Sequence, residues 1–223
     1  MARALASASS HYLVHNAAVA TAEPLTMACW FSAASLAQSG VLMALCTNGG
    51  TSRCQIQHNS TNSLDVFSVD PAGSFGHSVG NNGEIAAPNT WYHAAGVFAA
   101  SNSRTGYFNG TAHTPNTTSI TVGGLDRTII GMRISGGGIG AYFNGSVAEA
   151  GIWNVALDAA EIAALAKGFS PLLIRPASLI AYWPLIGRSS PEICLKGGFD
   201  LTLVNGPTAA DHARMIMPRR RTA

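Results

Sequence analysis

Charge is scarce in this chain: 11% of its 223 residues are Asp, Glu, Lys or Arg, against 47% apolar. The net charge of +2 gives no long-range field, so no nucleic-acid partner is expected. The sole basic cluster is the tail MPRRRTA, with Arg219, Arg220 and Arg221. Together with Arg214 these are the expected assembly contacts, able to pair with a carboxylate-rich partner. Long apolar runs are missing as well. None approaches the roughly 18 residues of a membrane helix, and the start MARALASASSHYLVHN turns polar too early for a signal peptide, so neither membrane nor export is expected. The four cysteines, Cys29, Cys46, Cys54 and Cys194, lack the paired CxxC spacing of a zinc site. Cys46 and Cys54 flank TNGGTSR, which fits either a disulfide across a hairpin or two reduced, buried thiols acting as small apolar groups.

Catalytic patterns are equally thin. Glycosidases need two carboxylates about 5 to 9 Å apart. No acidic-x-acidic strand face occurs here: Asp65 and Asp70 stand around a proline turn, and Glu149 has Val147 and Gly151 at its alternate positions. His11 and His15 share a strand face but lie about 13 Å apart by the strand rise, too far for a joint metal site. His93 sits in an apolar strand as an interior histidine, and no GxSxG nucleophile motif is present. SGGGIG, residues 135–140, opens no helix and so makes a turn rather than a phosphate loop. Neither catalysis nor a cofactor nor a metal is expected.

What remains is a sequence of short strands. LTMACWFSA, VLMALC, LDVFSV, TWYHAAGVFA, TGYF, SITV, RTIIGMRI and SVAEAGIW are strand candidates, separated by Asn-Gly steps at Asn48, Asn82, Asn109 and Asn144. Asn-Gly favours hairpins because both residues tolerate the positive φ of a type I′ turn. So many antiparallel strands imply a two-sheet sandwich or barrel. Within SVAEAGIW, strict alternation places Val147, Glu149 and Gly151 on one face and Ala148, Ala150 and Ile152 on the other. One helix follows, over 158–167. Asp158 and Glu161 form a capping box, Ile162 and Leu165 an apolar stripe, and Gly168 a left-handed stop.

Several of these motifs, in order, resemble the laminin G-like or concanavalin A-like jelly-roll domains. LTMACWF resembles that family's early strand with a buried Trp, here Trp30. NTWYHAAGVF and GYFNGT resemble a later strand and hairpin, TIIGMRI a strand with an Ile-Gly step, and FNGSVAEAGIWNVALDAAEIAAL the closing strand and helix. The likeness runs from about residue 5 to 168. It implies an all-β, antiparallel two-sheet jelly-roll sandwich with one short helix, a domain over 1–168, and a C-terminal extension over 169–223.

The resemblance also marks departures. Calcium-binding members commonly carry Asp where this chain has Ala148, and Asp in the hairpin turn where it has Asn109; calcium takes about six to eight oxygen ligands, so a strong site is not expected. Glu149 then serves as an acceptor for backbone or for an arginine such as Arg133, and Trp153 as a core or rim aromatic. Two functions are in view, with a virion structural protein as the main expectation and a carbohydrate-binding module as the alternative. Asn-rich loops HNSTNS and GNNGE can present side chains to a cell-surface glycan, as in a lectin-like adhesion module, or serve turn geometry alone. The stretch SLIAYWPLIGRSSPEICLKGGFDLTLVNGPTAADHA is similar to the segment following laminin G-like domains in tailed-bacteriophage proteins. That implies a non-enzymatic virion protein, a capsid decoration or fibre component, with the major capsid or another virion protein as partner and a homo-oligomeric state. Tyr182 and Trp183 are expected to pack on the sandwich, and the chain beyond about Asp211 to order only against a neighbour.

Overall fold

The computed structural model describes residues 1–36 and 38–216. Its first strands are β1 (Ala2–Leu5), β2 (Tyr12–His15), β3 (Leu25–Ala33), β4 (Gly40–Cys46), β5 (Arg53–His58) and β6 (Leu64–Val69). Next come β7 (Phe75–Val79), β8 (Trp91–Ala100), β9 (Ser103–Phe108), β10 (Thr111–Ala112), β11 (Arg127–Ile130), β12 (Arg133–Ser135) and β13 (Gly138–Gly140). The chain ends with β14 (Gly145–Trp153), helix α1 (Ala159–Ala166), β15 (Leu179–Trp183), β16 (Thr202–Val204) and β17 (Thr208–Ala210).

Two large antiparallel sheets lie face to face, as the jelly-roll expectation requires. The eight-stranded sheet runs β10-β9-β8-β3-β14-β1-β17, with β15 pairing β14 beyond the end of β1. The seven-stranded sheet runs β16-β2-β11-β4-β5-β6-β7. Alternate residues of each strand meet between them: Met27, Cys29 and Phe31 of β3 pack with Leu42, Ile56, Val66 and Phe98. Each such fully buried side chain contributes about 1.5–3 kcal/mol. Among the Asn-Gly steps at 48, 82, 109 and 144, Asn109 and Gly110 alone both take positive φ, 48° and 84°, closing β9 onto β10; a further step, Asn205–Gly206, does the same at 61° and 78° between β16 and β17. SGGGIG is indeed a turn, with Gly136 and Gly137 joining β12 to β13.

α1 keeps the expected cap. Asp158 accepts from the Glu161 amide and Glu161 from the Asp158 amide, both at 2.9 Å. Its buried side chains, Ile162 and Leu165, build a second core with Ala95, Val97, Tyr107, Leu157 and Trp153. This core lies on the outer face of the eight-stranded sheet, so the helix roofs a sheet face.

Several expectations need correcting. SITV is irregular chain held by Ile120, whose amide reaches the Ser101 carbonyl at 2.8 Å without a strand partner. RTIIGMRI breaks at Gly131, φ 94°, into β11 and β12. Trp30 is half-buried on the outer face, edge-on to His93, because the odd-numbered residues of β3 face the core. Alternation along β14 fails at Glu149: between the pairs Ala148–Trp30 and Gly151–Ala28, two residues of β14 oppose Cys29 alone. Glu149 takes φ +53° in this bulge, so Val147, Ala150 and Ile152 all face the core and Glu149 turns outward. A Cys46–Cys54 disulfide is ruled out by register. Cys54 lies opposite Leu45 while Cys46 lies opposite Arg53, which points the two thiols to different faces, and all four cysteines are free and buried.

Residues after 168 add to both sheets. β15 pairs β14, β16 pairs β2 and β17 pairs β1. Tyr182 and Trp183 pack on the sandwich on opposite faces of β15, Trp183 in the main core and Tyr182 in the outer one. From His212 to Ile216 the chain packs without a neighbour: Ala213 is buried, His212 Nε2 lies 3.0 Å from Glu149 Oε1, and the Ile216 amide reaches the Gly168 carbonyl; the rest of that expectation falls outside the described residues.

Candidate functional site

Three neighbouring strands of the seven-stranded sheet place their odd-numbered residues on its outer face. Register sets them in rows: Arg53–Val69–Phe75, Gln55–Phe67–His77 and Gln57–Asp65–Val79. With strands about 4.7–4.9 Å apart, the result is a continuous shelf, buried at Arg53, Gln55, Asp65 and Val69 and exposed at Phe75, His77 and Val79. Phe67 and Phe75 stack with ring centroids 5.7 Å apart and planes 26° from parallel, and Phe75 is 58% exposed. The Arg53 guanidinium sits 5.4 Å from the Phe67 centroid, within cation–π range.

Along the shelf runs a hydrogen-bond chain with one polarity. Arg53 Nε donates to Gln55 Oε1 at 3.1 Å, Gln55 Nε2 to Gln57 Oε1 at 2.6 Å, and Gln57 Nε2 to Asp65 Oδ2 at 2.9 Å. It ends on a buried carboxylate whose Oδ1 has no hydrogen-bond partner, with exposed His77 Nδ1 3.5 Å away. Burial pushes Asp65 above the usual carboxylate range; His77 and the Gln57 hydrogen bond oppose this.

Val79 continues the shelf into a cleft of about 400 Å³ at the edge where β7 meets the β9–β10 hairpin. Asn81, Phe108, Asn109, Thr111 and Thr114 line it, and Glu84 and His113 close its wall. Glu84 is fully engaged: Oε1 accepts from the Leu64 amide at 2.7 Å and Oε2 lies 3.0 Å from His113 Nε2. It is therefore a structural group rather than a free acid. Asn109 Oδ1 accepts from the His93 amide at 2.9 Å, which ties the turn to β8. A second cleft, of about 330 Å³, bounds the shelf beyond Arg53 and Val69.

The two Asn-rich loops separate. In HNSTNS, Asn59 Oδ1 accepts from the amides and hydroxyls of Thr61 and Ser63, which is turn geometry. GNNGE instead reaches the cleft through Gly80, Asn81 and Glu84. The shelf residues Arg53, Gln55, Gln57, Phe67, Phe75 and His77 were not anticipated. The available signal was the alternation in RCQIQH and FGHSV, where the larger or more polar side chains occupy every second position.

Glu149 reaches neither Arg133 nor backbone through its carboxylate. Because the bulge turns it outward, Oε2 accepts from the Tyr182 hydroxyl at 2.5 Å and Oε1 meets His212. Trp153 is core, fully buried, its Nε1 donating to the Ile174 carbonyl at 2.8 Å. Gly151 makes this possible, since a Cβ there would stand 2.8 Å from the indole. His93 is 2% exposed, and burial lowers it to about 3, so it stays neutral. His11 and His15 serve separate local bonds, to the Ala6 amide and the Asp200 carbonyl. Among the described residues no group of three or more His, Cys, Asp and Glu is arranged to hold a metal ion. Arg214 is exposed; Arg219, Arg220 and Arg221 lie outside the described residues.

The two-sheet antiparallel sandwich defines the class of fold. The sequence profile described as the concanavalin A-like lectin/glucanases superfamily matches residues 6–163, and the chain belongs to that family. No curated protein matches. Among solved structures, a candidate carbohydrate binding protein of Bacteroides ovatus is 18% identical, with TM-score 0.63 over 93% of this chain and 61% of that one. The native heptameric SAP-like pentraxin of Limulus polyphemus is 16% identical, with TM-score 0.56 over 70% and 75%. The CBM40 of the Ruminococcus gnavus IT-sialidase is 11% identical, with TM-score 0.55 over 66% and 84%. At these identities the likeness is one of fold.

Proposed function

We propose that this chain is a non-catalytic carbohydrate-binding module whose site is the β5–β7 shelf and the adjoining edge cleft. The observation that carries the reading is the exposed Phe75 stacked on half-buried Phe67, with exposed His77 and half-buried Gln57 beside it. A sugar ring has an apolar face and a rim of hydroxyls, and a shelf of this kind offers a partner to each. Family membership and relatives described as carbohydrate binding support it. The R. gnavus CBM40 has been seen with sialyllactose. Here Arg53 is held by Gln55 and the Gly50 carbonyl while Asp65 brings negative charge, which favours a neutral glycan over an acidic one. The two site carboxylates do not make a hydrolytic pair, since both oxygens of Glu84 are engaged.

A glycan array on the intact chain tests this. Binding to neutral oligosaccharides should fall about tenfold in Phe75→Ala, roughly one aromatic contact, without a change in melting. An array without ligands, or a Phe75→Ala variant that binds as well as the parent, would refute it.

The second reading, a homo-oligomeric virion surface protein bound to the capsid, rests on the likeness of SLIAYWPLIG and the following residues to tailed-bacteriophage proteins. The comparisons add no support for a phage origin. Mass spectrometry of purified particles tests it separately from sugar binding.

A further inference from the structure

Beyond Arg53 the shelf gives way to the second cleft, of about 330 Å³, lined by Gly50, Thr51, Arg53, Gly73, Ser135 and Gly136 among others. Its shape depends on Gly50. A Cβ there would stand 2.4 Å from the Ile134 carbonyl carbon, so the turn before β5 lies pressed against β12. At Gly73 and Gly136 a Cβ would meet nothing within 4 Å, and these turns form an open rim.

Two arginines meet at this cleft without a counter-ion. Arg53 lines it and is 8% exposed. Its Nε and Nη1 donate to Gln55 and to the Gly50 carbonyl, whereas Nη2 makes no hydrogen bond among the described residues and is not sealed from solvent. The second is Arg133. Ile134 packs into a small core with Val41, Ala44 and Ile129, which sends Arg133 and Ser135 to the other face of β12, and Ser135 lines the cleft. The two charges act on each other: burial first, and then Arg133, hold Arg53 below the usual arginine range. Among the described residues neither arginine has a carboxylate within ion-pair distance. The acids of neighbouring segments are engaged elsewhere: Asp126 with Arg127 at 3.4 Å, Asp70 with the Ser74 amide at 2.9 Å, and Asp65 at the far end of the shelf with Gln57. A guanidinium offers donors only, and a buried one calls for an anion.

We propose that this cleft binds a tetrahedral oxyanion of the phosphate class, free or as the monoester of a small organic group. The anion lies between Arg53 Nη2 and the Arg133 guanidinium, with the Ser135 and Thr51 hydroxyls as further donors. It carries about two negative charges near neutral pH, which matches the two cations. A cationic ligand would meet two like charges there, and a neutral one would leave both uncompensated. The cleft is larger than the bare ion, which leaves room for an esterified group. The site is separate from sugar binding, since it uses the Arg53 donors that the shelf leaves over.

Calorimetric titration of the full chain with inorganic phosphate, and in parallel with glycerol 3-phosphate, tests the assignment at constant ionic strength held by chloride. Saturation of a single site is expected. Arg133→Gln should weaken binding about tenfold or more, the worth of one charge-assisted contact, while Arg133→Lys, which keeps the charge, should retain most of it. Stability should reverse with the anion. In chloride the Arg133→Gln variant should melt no lower than the parent, because a like charge is gone; in about 20 mM phosphate the parent should melt higher. Phe75→Ala should bind phosphate as the parent does, which keeps this result apart from the fate of the shelf. Tighter binding of the ester would assign the site to a phosphomonoester, and equal binding to the ion itself. Absence of saturation by both probes, or undiminished binding by Arg133→Gln, would overturn the proposal. So would an equal rise in melting of parent and variant with phosphate, the mark of a general salt effect.

Discussion

Replacing His212 with alanine removes the cation that neutralises Glu149 beneath the C-terminal segment. The Glu149 side chain is 2% exposed and that of His212 15%, with 3.0 Å between Nε2 and Oε1. Breaking a buried pair from one side costs about 3–5 kcal/mol, and the partial exposure of His212 places this case near the lower end, about 3 kcal/mol. For a chain of this size each kcal/mol moves the melting midpoint by about 2–4 °C, so a drop of about 6–12 °C is expected. The effect carries a pH signature. Burial alone would lower the pKa of His212. The hydrogen bonds to Glu149 and to the Ala213 carbonyl, with the Glu149 charge, outweigh that and raise it above 6.5, and the α-amino group of Met1 opposes them. A raised folded-state pKa means that the native protein holds the proton more tightly than the unfolded chain. The contribution is thus full below about pH 6.5 and is lost as pH rises through the folded value. Thermal melts of both proteins from about pH 5 to 9 should show the gap closing toward the worth of one neutral hydrogen bond, about 1 kcal/mol. His212→Gln should recover part of the loss without the pH dependence. A gap that is absent, or that widens with pH, would refute the assignment of His212 as the clip.

Trp153→Phe should cost about 2–4 kcal/mol, through the lost Ile174 hydrogen bond and the cavity under α1, as read by urea unfolding; glycan binding should not change. The thiols should be silent to a disulfide reagent at about pH 8 in the native protein and react after denaturation. Burial pushes Cys46 up to about 11, Cys54 up to about 12 and Cys29 above the usual thiol range; reductant should leave the melting midpoint unchanged.

What could be read from the chain was what neighbours in sequence decide. The helix follows from Asp158 and Glu161, three residues apart, and the β9–β10 hairpin from one Asn-Gly step. The β14 bulge left no such trace: glutamate has no preference for positive φ, and the outward turn at 149 is fixed by Tyr182 and His212, 33 and 63 residues further on. The shelf was hidden for a different reason. FGHSV reverses the usual rule by showing Phe75 to solvent and Ser78 to the interior, and only the register of three strands gathers Arg53, Phe67 and His77. Residues 212–216, which lack an apolar period, pack through His212 on Glu149, the buried side chain of Ala213 and the Ile216 amide on the Gly168 carbonyl.

The pairing of β1 with β17 has a mechanical meaning. Ala2 lies opposite Ala210, so the start of β1 and the end of β17 lie side by side. Tension applied at these points would part the ladder one hydrogen bond at a time, peeling β17 from β1, instead of loading many bonds in parallel shear. That pair of strands is thus poorly made to bear a load between those two points. Spliced at those two points into a loop of a larger protein, the fold would hang as a side pendant, leaving its host's backbone path almost uninterrupted.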